Sequence, residues 1–283
     1  MKKIKFTVLV LFGLIASFCY ATNTHENQIT DNKSPTNKVV LSSEVEWEQL
    51  NPARGDKSPQ AGTLWGDRKA KVATGYLGKF VDGFSSPPHI HNVTYRAIVI
   101  KGSIHNDDPS AEKMWMKPGS FWVQPVGEAH ITAAKGEENL AYIEIDNGPY
   151  LVWPSEQAYE NDERPLNIDV VNLVWLQNSI NWVDPNSKAE VSFLWQKKES
   201  KLNGLFVKLP AGYNGIIDSE GEVFYSIVIK GDVKYEMPLS GEIKDLDIGS
   251  CFSSTGKAFH KITNENDSDI ILYIRTNGDI RIK

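Results

Sequence analysis

The sequence predicts an all-β chain built from two tandem units of the β-sandwich or jelly-roll kind, and three observations carry that expectation. The chain repeats itself: Ile98–Gly102 and Ile227–Gly231 are identical at an offset of 129 residues. The same offset relates Thr74–Phe80 (TGYLGKF) to Asn203–Leu209 (NGLFVKL), and an offset of 130 relates Leu64-Trp65 to Leu194-Trp195 and Pro118–Trp122 to Ile248–Phe252. Order and spacing hold together, which marks a duplication. The texture is that of strands: short runs rich in Val, Ile, Tyr and Phe, such as YRAIVI, LAYIEI and IILYIR, alternate with turn clusters such as NDDP, KPG and DNGP. Helical periodicity is almost absent, and many short strands at even spacing suit a closed or double-layered β fold.

In chain order, an apolar run from Phe6 to Phe18 follows Lys2, Lys3 and Lys5, and Ala21 closes a small-residue site in CYAT. A basic start, an apolar run too short to cross a bilayer and a small residue at the cut describe a secretory signal peptide over residues 1–21. The rival is a lipoprotein signal through Cys19, against which the bulky Phe18 speaks. The expectation is an exported bacterial chain, periplasmic or secreted, starting near Thr22. Cleavage would remove three lysines and no acid, taking the net charge from −6 to −9 and leaving Cys251 as the one cysteine. No intramolecular disulfide is then available. The acidic balance argues against nucleic acid or anionic membrane as a partner.

Residues 22–42 read as a flexible linker, 43–165 as the first unit and 166–283 as the second, each of single-domain size. Pro154–Pro165 is the exception to the strand texture and reads as a short surface helix.

The first unit carries the chemistry. His89 and His91 stand at i and i+2, which places both imidazoles on one face only if the segment is a strand. His130 follows a Pro125-Val126-Gly127 turn. The run Gly83, five residues, His89, Ile90, His91, three residues, Tyr95, six residues, Gly102, and the later run Gly119, five residues, Pro125, Val126, Gly127, two residues, His130, resemble the two motifs of the cupin superfamily. Tyr95 stands where that family usually has a glutamate, and Ala134 where it usually has an asparagine.

The resemblance implies two tandem cupin barrels (double-stranded β-helix, or RmlC-like jelly roll), a bicupin. It also implies that His89, His91 and His130 bind one divalent metal, Fe, Zn, Ni or Mn, inside the first barrel. Neutral imidazoles independently suit those ions and leave coordination positions open. Tyr95 reads as a pocket residue that hydrogen-bonds metal-bound water and as a candidate catalytic residue for proton transfer, with direct coordination as the alternative. Glu128 is a candidate acid/base, or else a solvated turn residue. Glu144 alternates with apolar neighbours and is a second inward candidate, whereas His105 reads as surface. Tyr76, Trp115, Trp122 and Tyr142 suggest an apolar pocket wall. The sequon Asn92-Val93-Thr94 reads as accidental in a bacterial export.

In the second unit, an offset of 129 sets Asp218 over His89 and Glu220 over His91, and 130 sets His260 over His130. These three are a candidate second cation site, against the reading of a decayed one kept for packing. Two functions remain. One is a metal-dependent enzyme, dioxygenase-like or hydrolytic, on a small organic substrate. The alternative is a non-catalytic metal- or ligand-binding or sensing cupin, since the arrangement also resembles two-cupin proteins of unknown function and the cupin domain of ChrR-type anti-sigma factors. Cupins often dimerise through sheet edges, which makes a homodimer an expectation as well.

Overall fold

The computed structural model describes residues 36–177 and 181–283, which pack as one compact unit. The expected signal peptide (1–21), Cys19 and residues 22–35 of the expected linker lie outside the described residues. No helix among the described residues is long and apolar enough to cross a membrane. The fold is all-β, with four short 3₁₀ turns in place of α-helices between Pro52 and Ser187 and a fifth at Ser42–Glu44. Pro154–Pro165 holds one of them, Ser155–Gln157, and is otherwise irregular. Its two boundary prolines and Asp162 at φ 66° leave no room for a longer helix.

Two large antiparallel sheets carry the duplication. The first runs in the order Leu166–Ile168, Phe121–Gln124, Tyr95–Asp107, Ile131–Ile145, Thr74–Phe80, Gln60–Trp65, Trp47–Gln49. Its counterpart runs Thr36–Val40, Cys251–Thr255, Phe224–Lys230, Ile270–Thr276, Asn203–Leu209, Glu190–Gln196. Each barrel is completed by smaller strands, His89–His91 with Val152–Pro154 in the first and a five-stranded sheet in the second.

Two edges differ from the sequence expectation. Thr36–Val40, assigned to a flexible linker, is an edge strand on Cys251–Thr255 of the second barrel. Leu166–Ile168, assigned to the second unit, pairs with Phe121–Val123 of the first. Each segment covers an open sheet edge that would otherwise leave backbone groups unpaired.

The duplicated IVIKG strand is buried on both faces, which is why it reads as a continuous apolar run. Val99 faces the interior of the first barrel with Ala97, while Ile98 and Ile100 face the other way. Val228 likewise lies inside the second barrel, and Ile227 and Ile229 meet Ile98 and Ile100 in a shared core between the two sheets. Burying each such side chain is worth about 1.5–3 kcal/mol. The glycine that closes each copy has positive φ, 73° at Gly102 and 78° at Gly231. At Gly102 a Cβ would meet Asn139 Oδ1 at 2.1 Å, so the bend there admits no side chain.

Candidate metal centre

The first barrel brings His89, His91 and His130 together. His89–His91 is a strand, and Ile90 between the two histidines points away from them into full burial. His130 lies directly opposite His89, with His89 N–H donating to His130 O and His130 N–H to His89 O, both at 3.0 Å. The Pro-x-Gly turn that delivers His130 is anchored from both sides. Gly127, at φ 75°, donates to His91 O and accepts from Tyr159 N–H, each at 2.9 Å.

The ligand atoms of the three imidazoles all lie within 4.8 Å of one another. Each ring is oriented by a backbone carbonyl at its Nδ1: Pro87 O at 2.9 Å for His89, Leu151 O at 3.1 Å for His91 and Glu128 O at 3.3 Å for His130. A carbonyl only accepts, so Nδ1 carries the proton and Nε2 keeps its lone pair for a metal. Burial depresses all three imidazoles, His91 to about 3, with mutual repulsion adding to it at His91 and His130. All three are therefore neutral at physiological pH, the state a metal requires. The donor set fits a divalent first-row ion such as zinc or iron.

Two phenols close on the triad. Tyr95 donates to Asn106 Oδ1 at 2.8 Å, and its oxygen is 3.4 Å from His130 Nε2. Burial pushes Tyr95 up to about 12, against the opposing hydrogen bonds of Trp122, Thr132 and Asn106, so it is a neutral phenol. Asn106 is fixed in turn by Thr132 Oγ1 and Gln124 Oε1, and Gln124 Nε2 donates to Glu128 O at 3.1 Å. This chain of amides occupies the volume behind Tyr95.

Tyr150, which no motif marked, stacks on His91 with ring centroids 4.5 Å apart and donates to His91 Nε2 at 3.1 Å. Its loop is held by Asn92, whose amide bonds Pro149 O and Leu151 N–H at 2.8 Å each. The sequon asparagine therefore has both ends of its amide engaged in positioning the site.

A cavity of about 260 Å³ opens beside the triad, bounded by His89, His91 and Tyr95 and walled mainly by Tyr76, Phe80, Phe84, Trp122 and Tyr150. Tyr76 and Trp122 lie where a pocket wall was expected, but the other two aromatics do not. Tyr142 belongs to the core between the sheets, 5.5 Å from Tyr273, and Trp115 packs beside His105 at 6.1 Å. The alternation of the sheet puts Tyr142 on the face opposite Ile143, which does line the cavity.

Glu128 contributes its carbonyl to His130. Its carboxyl, raised above the ordinary value by burial, is not part of the cavity wall. Glu144 is buried but faces the second barrel, accepting from Tyr142, Tyr273 and Arg275. His105 is buried rather than exposed, because its strand continues past Gly102 to Asp107.

Among the described residues the second barrel has no such triad. His260 faces Ile217 across its ladder as His130 faces His89, so Ile217 and Ser219 take the positions of His89 and His91. Asp218 and Glu220 are displaced by one residue, because Ser219 to Phe224 is one residue longer than His91 to Tyr95. Asp218 pairs with Lys283, Glu220 with Lys257, and both nitrogens of His260 are taken by Tyr235 and Ser254 hydroxyls. Phe224 stacks on His260 at 4.3 Å and Phe252 packs against both. Among the described residues, His89, His91 and His130 are the one convergent cluster of metal-ligating side chains.

The fold and this donor set define a two-barrel cupin with a three-histidine centre in the first barrel. Over residues 38–283 the chain belongs to DUF4437, a domain family of unknown function. A comparison with curated proteins finds no match. Among solved structures, a protein from Nostoc punctiforme provisionally named a dioxygenase is similar at TM-score 0.64 and 12% identity, covering 88% of this chain and 82% of that one. The oxalate decarboxylase of Lactobacillus farciminis is similar at TM-score 0.57 and 11% identity, covering 88% of each chain. AerE from Microcystis aeruginosa follows at TM-score 0.56 and 13% identity, covering 84% of this chain and 97% of that one. At such identities the likeness is one of fold.

Proposed function

We propose that this chain is a divalent-metal-dependent enzyme acting on a small organic substrate in the first barrel. The observation that carries the reading is the triad itself: three neutral imidazoles, each with Nδ1 tied to a carbonyl and a lone pair on Nε2, which at His91 accepts from Tyr150 until an ion displaces it, beside a cavity with a mainly apolar wall. A bound ion would supply Lewis acidity and, if redox-active, oxidative chemistry. The chain's own residues would hold the substrate against the aromatic wall, exclude water, and offer the Tyr150 hydroxyl as a proton donor once an ion takes His91 Nε2, while Tyr95, whose proton is on Asn106, offers its oxygen as an acceptor. Dioxygenase-like and decarboxylase-named relatives of the same fold support a small-molecule substrate. Glu128 enters the proposal as an acid/base only if the turn opens, since its carboxyl stands outside the wall.

Metal analysis of untagged protein is expected to give one equivalent per chain, lost in His89→Ala with His130→Ala. Metal retained by that double variant would overturn the reading. Oxygen uptake by iron-loaded protein against diketones, thiols and aromatic diols tests the oxidative branch. Its absence, with metal bound and no hydrolysis of esters, would favour the binding or sensing role that the ChrR-type resemblance implies. We further propose export through cleavage after Ala21, supported by the basic start and short apolar run. N-terminal sequencing from a periplasmic fraction would read Thr22 first, and an intact Met1 there would overturn it.

A further inference from the structure

We infer that the substrate is a monoanion with an apolar body, whose carboxylate is taken by Arg54. The inference rests on the cavity beside the histidines being the substrate site. Arg54 is on the 3₁₀ segment Pro52–Lys57 and reaches the cavity across Phe84, its guanidinium carbon 5.0 Å from that ring's centre. It is held there by one hydrogen bond, Nη2 to Ser85 O at 3.1 Å.

Arg68, Arg96 and Arg275 each hold a carboxylate of this chain. Arg54 has no carboxylate within ion-pair distance among the described residues. A guanidinium has five N–H donors in a planar fork suited to a carboxylate, so Arg54 retains a fork for a ligand.

The rest of the wall points the same way. No residue lining the cavity is acidic, so nothing in it offsets the charge of Arg54 or of a cation at the triad. Most of the remaining surface is aromatic or aliphatic, Tyr76, Phe80, Phe84, Ile143 and Val152 among it, with Asn51, Ser86 and Thr132 as its uncharged polar members. A small dianion would leave that surface unused. Arg54 is the single cationic side chain lining the cavity. The volume, about 260 Å³, falls below the roughly 300–1,000 Å³ of pockets for drug-sized ligands, which limits the body to about one ring or a short chain.

The test is isothermal titration of zinc-loaded full chain with benzoate, phenylacetate and hexanoate, against benzamide, oxalate and phenyl phosphate. Zinc content is measured on each sample. At least one of the three carboxylates is expected to bind more tightly than benzamide, oxalate and phenyl phosphate. Arg54→Gln is expected to weaken that binding roughly 10- to 100-fold with zinc content unchanged. Arg54 is exposed, so the variant should fold as the parent does. Benzamide binding as tightly as benzoate, equal binding by Arg54→Gln, tighter binding of oxalate or phenyl phosphate, or no carboxylate binding at all would overturn the inference. Arg54-dependent carboxylate binding by a protein that fails to hold zinc would instead remove the metal reading and leave this one standing.

Discussion

At the scale of single residues, the substitution of a tyrosine for the usual carboxylate at position 95 changes the charge of the centre. A glutamate would bring a negative ligand, whereas the Tyr95 phenol, raised to about 12 by burial, stays neutral and spends its proton on Asn106. Tyr95→Phe is therefore expected to keep one metal per chain, with affinity unchanged in competition against a chromogenic chelator. A loss beyond about tenfold would make Tyr95 a ligand. Asn92→Ala should behave in the opposite way. It releases the loop that carries Tyr150 and the Leu151 carbonyl on His91, and outer contacts of that kind are worth about 10- to 100-fold in metal affinity.

At the scale of elements, one added residue between Ser219 and Phe224 separates a binding strand from a packing strand. Strand side chains alternate faces, so the slip turns Asp218 and Glu220 away from His260 and leaves Ile217 opposite it. Asp218→Ala should leave metal stoichiometry at that of the parent by elemental analysis.

His260 is buried against Phe224 and Phe252, and desolvation holds its imidazole down to about 3. The unfolded chain takes up that proton near pH 6.5. Between the two values the unfolded state binds more protons, so this residue's contribution is intact above pH 6.5 and is lost as pH falls toward 3. In urea titrations, His260→Gln should show a shallower loss of stability from about pH 6 to 4, by up to about 1.4 kcal/mol per pH unit. An unchanged slope would mean that His260 takes up its proton as readily in the fold as in the unfolded chain.

At the scale of the whole molecule, the two barrels meet through counterpart positions of their duplicated strands. The ladders set Ile98 opposite Tyr142 and Ile227 opposite Tyr273, which makes Tyr142 and Tyr273 counterparts, and two residues on, Glu144 and Arg275. Both pairs touch: the rings at 5.5 Å and the ions at 3.0 Å. Around them Trp65 stacks on Tyr225 at 4.0 Å, and its counterpart Trp195 lies 3.8 Å beneath Arg96. Asp146 joins Arg96, Arg275 and Lys197, whose charges outweigh its burial and hold its carboxyl far below the ordinary range. Breaking a buried pair strands the remaining charge, so Glu144→Leu or Arg275→Met alone should cost about 3–5 kcal/mol in urea unfolding. The double variant should cost clearly less than the two together, because neither charge is then left alone. Full additivity would show that the two residues do not act as a pair.

The duplication, the all-β class and the convergence of three histidines were legible in the sequence, because each leaves a local trace: repeated strands, alternating texture, and histidines at spacings that only strands and a fixed turn make sense of. Tertiary structure alone decided the rest. Tyr150, Asn106 and Arg54 reach the first barrel's site from segments outside both motifs, and Tyr142 and Glu144 leave it because their strand has two buried faces. Thr36–Val40 and Leu166–Ile168 became sheet edges of the second and the first barrel, since an unpaired backbone edge is satisfied by whichever strand can reach it. Spacing along a chain records which residues share a strand face. Which of two buried faces looks on the histidine cluster, and which on the neighbouring barrel, is fixed only when the sheets pack.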